Sequence, residues 1–258
     1  MNLLAFDTST EAMHIAVART VHGRVQHWQH SGVGGAQAST GLIAAILELM
    51  QQAELPLSAL DAICFGSGPG SFTGLRTACA VAQGLAFGAG VPVLPVASLL
   101  AVAEEARFAA LADQPSGQVT ALLDARMDEM YAATYAFEGS QWTELQGSCL
   151  LRPEDLPARV GRTYWAGNVF TVYAERLAGV QAGGMAAVGA VQCIAALPSA
   201  LAMLRLAPQL LAQGLAVPAE QALPVYIRDK VAKTTLERTA EKAQAQGLAA
   251  ALAHSSQG

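Results

Sequence analysis

Apolar and polar positions along the chain first alternate, then run together, then alternate again. Residues 3–6 (LLAF) are a short apolar run closed by Asp7 in "DTST". Met13, Ile15 and Val17 then alternate with polar His14 and, further on, Arg19, which predicts strand, turn, strand: a hairpin. A third strand is predicted at 24–30. Over 40–53 the residues Leu42, Ile43, Ile46, Leu47, Leu49 and Met50 recur at helical spacing on more than one face, with Glu48 between them. Ser39 is the expected N-cap of that helix. "LDAICFGSG" reads as a buried strand, "GSGPGSFTGLR" (66–76) as a glycine-rich loop, 73–87 as a second apolar helix, and "VPVLPV" as another buried strand.

A charged helix near 101–112 and the loop "DQPSGQ" follow, and then the plan repeats. "VTALLDARMDEMYAATYAF" has the layout of "NLLAFDTSTEAMHIAVA". In both, an apolar strand ends at an aspartate (Asp7, Asp124), an acid follows four positions later (Glu11, Asp128), and an alternating strand resumes. This predicts an internal duplication. Beyond it, "YWAGNVF" reads as strand then turn. "LPSALAMLRLAPQLLAQG" reads as a helix with Pro198 near its first turn, Gly214 at its end, and Pro208 kinking or splitting it. "ALPVYIRDKVAKT" is a strand or extended segment leading to a final helix, and the last dozen residues read as frayed.

Composition narrows the class. The 258 residues are 53% hydrophobic and 14% charged, which excludes disorder and calls for packed cores in one large domain or two smaller ones. A net charge of −5 does not by itself draw nucleic acid. Cys64, Cys79, Cys149 and Cys193 lie among apolar or small residues without a CxxC pair, as expected of buried free thiols in a reducing cytosol. The start carries no basic leader. Two long uncharged stretches, 77–103 and 177–204, are each broken by glycine and proline, so neither reads as a membrane-spanning helix. The expectation is a soluble, cytoplasmic protein.

The glycine loop has two readings. Ser71 or Thr73 can cap the helix, and its free N–H groups, with Arg76 in the first turn, would cradle an anion. A tight strand-to-helix turn also needs glycine and serine for steric reasons alone. His27 and His30 are three apart on an expected strand, a spacing that does not put them on one face. Cys64 and Cys79 have no histidine nearby in sequence, and no nucleophile-elbow string occurs. The second helix is rich in small residues (Ala78, Ala80, Ala82, Gly84, Ala86). A helix on a sheet buries one stripe, so the apolar remainder of both helices needs a cover. The residues expected to meet a partner are Leu42, Ile46, Leu49, Met50, Ala78, Ala82 and Leu85. Arg228, Lys230, Lys233 and Arg238 read as a solvated basic face.

"LAFDTST", "GPGSFTGLR", "LLDARMDEMYAATY" and "LPVYIRDK", in this order and at these separations, resemble the TsaB (YeaZ) family. The resemblance covers nearly the whole chain, most strongly 3–99, and "GPGSFTGLR" is its most diagnostic string. It implies an α/β, actin-like ATPase (ASKHA) fold of two duplicated domains, each a mixed sheet with packed helices. The first would hold 1–102 plus about 222–245, the second, degenerate one 103–221, with a frayed tail at 246–258. It implies a non-catalytic scaffold in bacterial tRNA threonylcarbamoyladenosine synthesis, partnering the catalytic paralogue TsaD and the ATPase TsaE and reaching tRNA indirectly. The first two helices would pair with TsaD or, without it, with a second copy in a homodimer. No cofactor is expected in isolation. ATP or ADP would sit at the complex interface, with Ser71, Thr73 and Arg76 as candidate contacts.

The resemblance also frames what is missing. The paralogue's metal-binding His pair follows the strand that here is "VPVLPV", where this chain continues "ASLLAVAEEA". No catalytic or metal-ligating residue is therefore expected. Actin-like enzymes place Mg²⁺ beside aspartates equivalent to Asp7 and Asp124, next to glycine-bearing phosphate turns. Here "DTSTEA" and "DARMDE" lack glycine, and Arg126 is their one cation. Both aspartates read as caps of the hairpin turns. Two local departures are "GAQAS" where many relatives carry "HSE", and Gly167-Asn168-Val169 where a Gly-Asn-Gly turn is common. The rival readings are an independent nucleotide-dependent ATPase or kinase on the same fold and, less well supported, a metallopeptidase.

Overall fold

Two five-stranded sheets account for the repeated alternation. The computed structural model describes residues 1–156, 163–183 and 191–228. The first half runs β1 (Leu3–Asp7), β2 (Ala12–Val21), β3 (Arg24–Val33), α1 (Leu42–Gln52), β4 (Ala62–Gly68), α2 (Phe72–Ala89) and β5 (Val93–Ala97). After α3 (Ser98–Ala110) come β6 (Ser116–Asp124), β7 (Met130–Glu138), β8 (Gln141–Leu151), β9 (Thr163–Gly167), α4 (Ala174–Gly183), β10 (Gln192–Ala195) and α5 (Ala200–Ala212). The sheets are ordered β3-β2-β1-β4-β5 and β8-β7-β6-β9-β10. Each joins a three-strand antiparallel meander to two parallel strands, so the duplication seen in the hairpins extends to the topology of both halves.

Side-chain alternation decides the layers. Leu4 and Phe6 of β1 join Met13, Ile15 and Val17 of β2 and Ile63 and Phe65 of β4 in a core under α1 and α2. Their neighbours Leu3, Ala5, Ala16, Ala18, Ala62 and Cys64 point the other way, onto α3 and α5. The second sheet meets the same two helices through Val119, Ala121, Leu123, Ala133 and Tyr135. Its other face, with Leu122, Met130, Ala132 and Trp165, packs on Tyr173 and Leu177. The helices α3 and α5 thus form a shared middle layer. Alanine is frequent there because small side chains let both sheets approach the helix pair closely. Inside this layer Glu104 is 2% exposed. Its carboxylate accepts from Arg107 at 2.7 and 2.9 Å, from Arg205 at 2.7 Å and from the Trp142 indole at 3.0 Å. A buried carboxylate is tolerated only when its lone pairs are satisfied in this way.

Several local expectations are corrected. Residues Gly35–Thr40 form a 3-10 turn, and α1 starts at Leu42 with Gly41, not Ser39, at its N-cap. The amide of Gly41 bonds to Ala38 O at 3.3 Å, so a backbone turn takes the place of a side-chain cap. Pro208 does not split α5, which is continuous over 200–212. Ser199 caps α5 by accepting from the Ala202 amide at 3.0 Å, and Pro198 stands just before that cap, near the first turn as expected. Burial of Met203, Leu204, Leu206, Ala207 and Leu210 offsets the cost of an internal proline, about 3 kcal/mol. β3 extends to Val33, and β6 begins inside the expected loop, at Ser116. The expected final helix, the tail at 246–258, and Lys230, Lys233 and Arg238 lie outside the described residues.

Candidate functional site

The loop between β4 and α2 is filled by the chain itself. Ser71 is the N-cap of α2, accepting from the Gly74 amide at 3.4 Å, while its own amide donates to Ser9 O at 2.7 Å. Two amides that an anion would use are thereby engaged. The glycines are explained by what lies against them. A methyl group added at Gly66 would overlap the Asp7 carboxylate, and one at Gly74 would overlap Thr8 O. At Gly70 it would come within 2.5 Å of Ser9 O, and at Gly68 within 2.5 Å of Val225 O. Thr73 is exposed and does not cap. Arg76 is also exposed. Its Nε donates to Tyr226 Oη at 3.0 Å, and its guanidinium lies 3.8 Å from the centre of the Phe72 ring.

The two aspartate turns sit at the ends of the central strands β1 and β6. Asp7 is fully buried. Its Oδ1 accepts from the Ser9 amide at 2.8 Å and the Ser9 hydroxyl at 2.7 Å, and its Oδ2 accepts from Ser98 at 3.2 Å. Burial pushes its pKa up to about 6, against the opposing pull of these hydrogen bonds. Asp124 is partly exposed, and its Oδ1 accepts from the Arg126 amide at 2.9 Å and from Tyr173 Oη at 2.8 Å. Each aspartate takes the amide two residues on, so each caps its own turn. Arg126, Met127 and Asp128 all have positive φ, at 60°, 55° and 60°. Arg126 reaches across to Glu11 at 3.2 Å, linking the two turns. Ser9, Ser98 and Tyr173 carry no assignment from the sequence, and Asn168 stands out there only as part of a departure from the family's turn. Ser98, Asn168 and Tyr173 are brought to the aspartates from 44 to 91 residues away, a separation that leaves no local signal.

Six of the seven expected partner residues are buried within the chain. Leu42, Ile46, Leu49, Met50, Ala78 and Ala82 pack beneath α1 and α2 against the first sheet, and Leu85 is half-buried at the rim. They are core residues because they form the stripe each helix turns to the sheet. The outward rows are different residues: Ile43 and Leu47, both 49% exposed, on α1, and Ala80, Gly84, Phe87 and Gly88 on α2, where Phe87 is 82% exposed. Beside them Leu57, Ser58, Gly84, Leu85, Gly88 and Ala89 line an open depression of about 430 Å³.

Comparison with known proteins decides the family. A model described as TsaD, tRNA N6-adenosine threonylcarbamoyltransferase, matches residues 35–236. The tRNA threonylcarbamoyladenosine biosynthesis protein TsaB of Haemophilus influenzae is 33% identical over 247 residues, covering 90% of this chain and 95% of that protein. The Escherichia coli protein of the same name is 32% identical over 237 residues, covering 90% and 96%. Among solved structures, YeaZ from Pseudomonas aeruginosa superposes with a TM-score of 0.73 at 37% identity, over 87% of this chain and 99% of its own. The chain belongs to the TsaB family. Its α/β fold is the actin-like one, with a mixed sheet in each half.

Within the TsaB family frame, the local departures have a visible structure. "GAQAS" lies in the 3-10 turn before α1, and Asn168 accepts the Asp124 amide at 2.9 Å. A second P. aeruginosa structure, described as similar to peptidase YeaZ, matches with a TM-score of 0.74. Among the described residues here, no three His, Cys, Asp or Glu side chains converge as a metal-binding group. None of the four cysteines is joined in a disulfide; Cys64 and Cys79 are buried as expected, but Cys149 is only partly buried and Cys193 is exposed. Burial pushes the Cys64 thiol up to about 12 and raises Cys79 and Cys149, the opposite of nucleophile activation. No helix among the described residues is long and apolar enough to cross a membrane.

Proposed function

We propose that the chain is a non-catalytic subunit of tRNA threonylcarbamoyladenosine synthesis in the cytoplasm, working through a catalytic paralogue of the TsaD type and an ATPase of the TsaE type. The observation that carries this reading is the outward apolar row on each of α1 and α2, Ile43 and Leu47 on one and Ala80, Gly84 and Phe87 on the other. Small residues on α2 permit close helix approach, and the depression by Leu85 and Gly88 accepts a protruding side chain. The natural partner is the equivalent helix pair of the paralogue, giving a four-helix contact. Without it the same face pairs two copies of this chain. In this reading the subunit acts by stabilising the paralogue's active conformation, with binding energy spent on a population shift. It meets tRNA through the complex. A nucleotide, ATP or ADP, belongs to the assembled interface, where Ser71, Thr73 and Arg76 are the contacts proposed from this side.

The test is an add-back assay with the paralogue, the ATPase subunit, threonylcarbamoyl adenylate and unmodified tRNA. Modified tRNA is expected only when this chain joins the paralogue. Turnover by this chain alone would favour an independent enzyme, and full activity without it would remove the scaffold role.

A further inference from the structure

The string "LPVYIRDK" has a structural role that the helix faces leave unexplained. Its first five residues and the one before them, 222–227, follow α2 to the end of β4. Ala222 is fully buried, and its carbonyl accepts from Gln83 at 2.8 Å and from the Cys79 thiol at 3.3 Å. Three residues on, the Val225 amide donates to Ser67 O at 2.7 Å, and the Val225 carbonyl lies against Gly68. Tyr226 then packs its ring 5.1 Å from that of Phe72 and accepts from Arg76. Phe72, Arg76, Cys79 and Gln83 are spaced i, i+4, i+7 and i+11, so the segment tracks one stripe of α2.

The two ends are held unequally. The Ala222 end is buried with two donors on one carbonyl. Leu223, next in the chain, is already 65% exposed, and the other end keeps Val225 and Tyr226 exposed at 47% and 42%, so little apolar burial secures it. Arg76 sits in the first turns of an 18-residue helix, at the positive end of its dipole. Among the described residues it has no carboxylate within ion-pair distance, and it meets the Tyr226 hydroxyl and the Phe72 and Tyr226 rings. We infer that residues 222–227 are a latch over the glycine loop. Ala222 is the fixed pivot, and the Tyr226 end opens and closes over Ser67, Gly68 and Phe72, freeing Arg76 when open. Gly68, whose φ of +117° already calls for glycine, also leaves room for the latch's carbonyl.

Amide hydrogen exchange on the full-length protein tests this, with the Val217 amide, bonded to Val93 O at 2.8 Å, as the internal reference. The Val225 amide should exchange at least about tenfold faster than Val217, as a local opening does. Arg76→Ala and Tyr226→Phe should each speed Val225 a further three- to tenfold, on the order of one hydrogen bond or one cation–π contact, and leave Val217 unchanged. Cys79 should stay closed to maleimide in both variants, while exposed Cys193 is labelled. Equal protection of Val225 and Val217 in the unsubstituted protein would overturn the latch. So would an unchanged Val225 rate in both variants, or loss of Cys79 protection together with Val225, which would mean the segment leaves as a whole. If a variant speeds Val217 as well, the comparison within the unsubstituted protein decides alone.

Discussion

Asp7 and Asp124 end the central strands of two sheets with one topology, and both accept the amide two residues on, yet their surroundings have diverged. Around the first turn, Gly34, Gly70 and Gly74 bring backbone against the carbonyls of Thr8, Ser9, Thr10 and Ala12, and Asp7 is sealed beneath them. Around the second, three consecutive residues adopt positive φ, and Tyr173 holds the aspartate from a partly exposed position. The duplicated strands keep the same aspartate turn, and in the first half the main chain packs closely over it. Glycines that look like ligand-binding glycines in sequence are packing glycines in space.

The largest expected effect breaks the seal. Gly74→Ala drives a methyl into the backbone carbonyl of Thr8 and should cost more than about 3 kcal/mol or prevent folding. Gly84→Ala, in the same helix with nothing within 4 Å, should gain about 0.5–1 kcal/mol. Urea unfolding of both checks the contrast, and a Gly74→Ala variant within 1 kcal/mol of the unsubstituted protein would refute the seal.

Next comes the sealed carboxyl. Its pKa is about 6 in the fold against an ordinary 3.8, so the folded state holds the proton more tightly. The stability that Asp7 contributes is complete below pH 3.8 and is lost as the pH rises through 6, by about 3 kcal/mol. Asp7→Asn should remove that fall, so its advantage over the unsubstituted protein grows from pH 4 to pH 7.5. Parallel urea curves at all pH values would contradict this. Asp124→Ala should cost about 1–2 kcal/mol through its two lost hydrogen bonds. Arg126→Ala should change stability by less than about 0.5 kcal/mol, because the pair with Glu11 is exposed on both sides.

Much of the frame is legible from period alone. The period-2 runs at Met13–Ile15–Val17 and after Asp124 gave both hairpins and the duplication, and the glycine loop marked the β4–α2 turn. The phase of α1 was not legible. Leu42, Ile46, Leu49 and Met50 on one side and Ile43 and Leu47 on the other are all apolar, so periodicity announces a helix without saying which side faces the sheet. The seal and the latch were invisible for another reason. Ser98 reaches Asp7 from 91 residues away and Tyr226 meets Arg76 from 150 away, and no local pattern encodes such contacts.

The central claim is that this chain contributes a surface and that the glycines of its loop serve the packing of the chain itself. The direct measurement is the add-back assay run with two variants, Leu47→Glu on the outward face of α1 and Asp7→Asn beneath the loop, each first shown to be folded. The account predicts that Leu47→Glu loses at least about tenfold in stimulation of the paralogue, on the scale of a charge placed in an apolar contact, while Asp7→Asn stimulates fully. Loss of stimulation in Asp7→Asn with Leu47→Glu intact would contradict it and make the loop a working site.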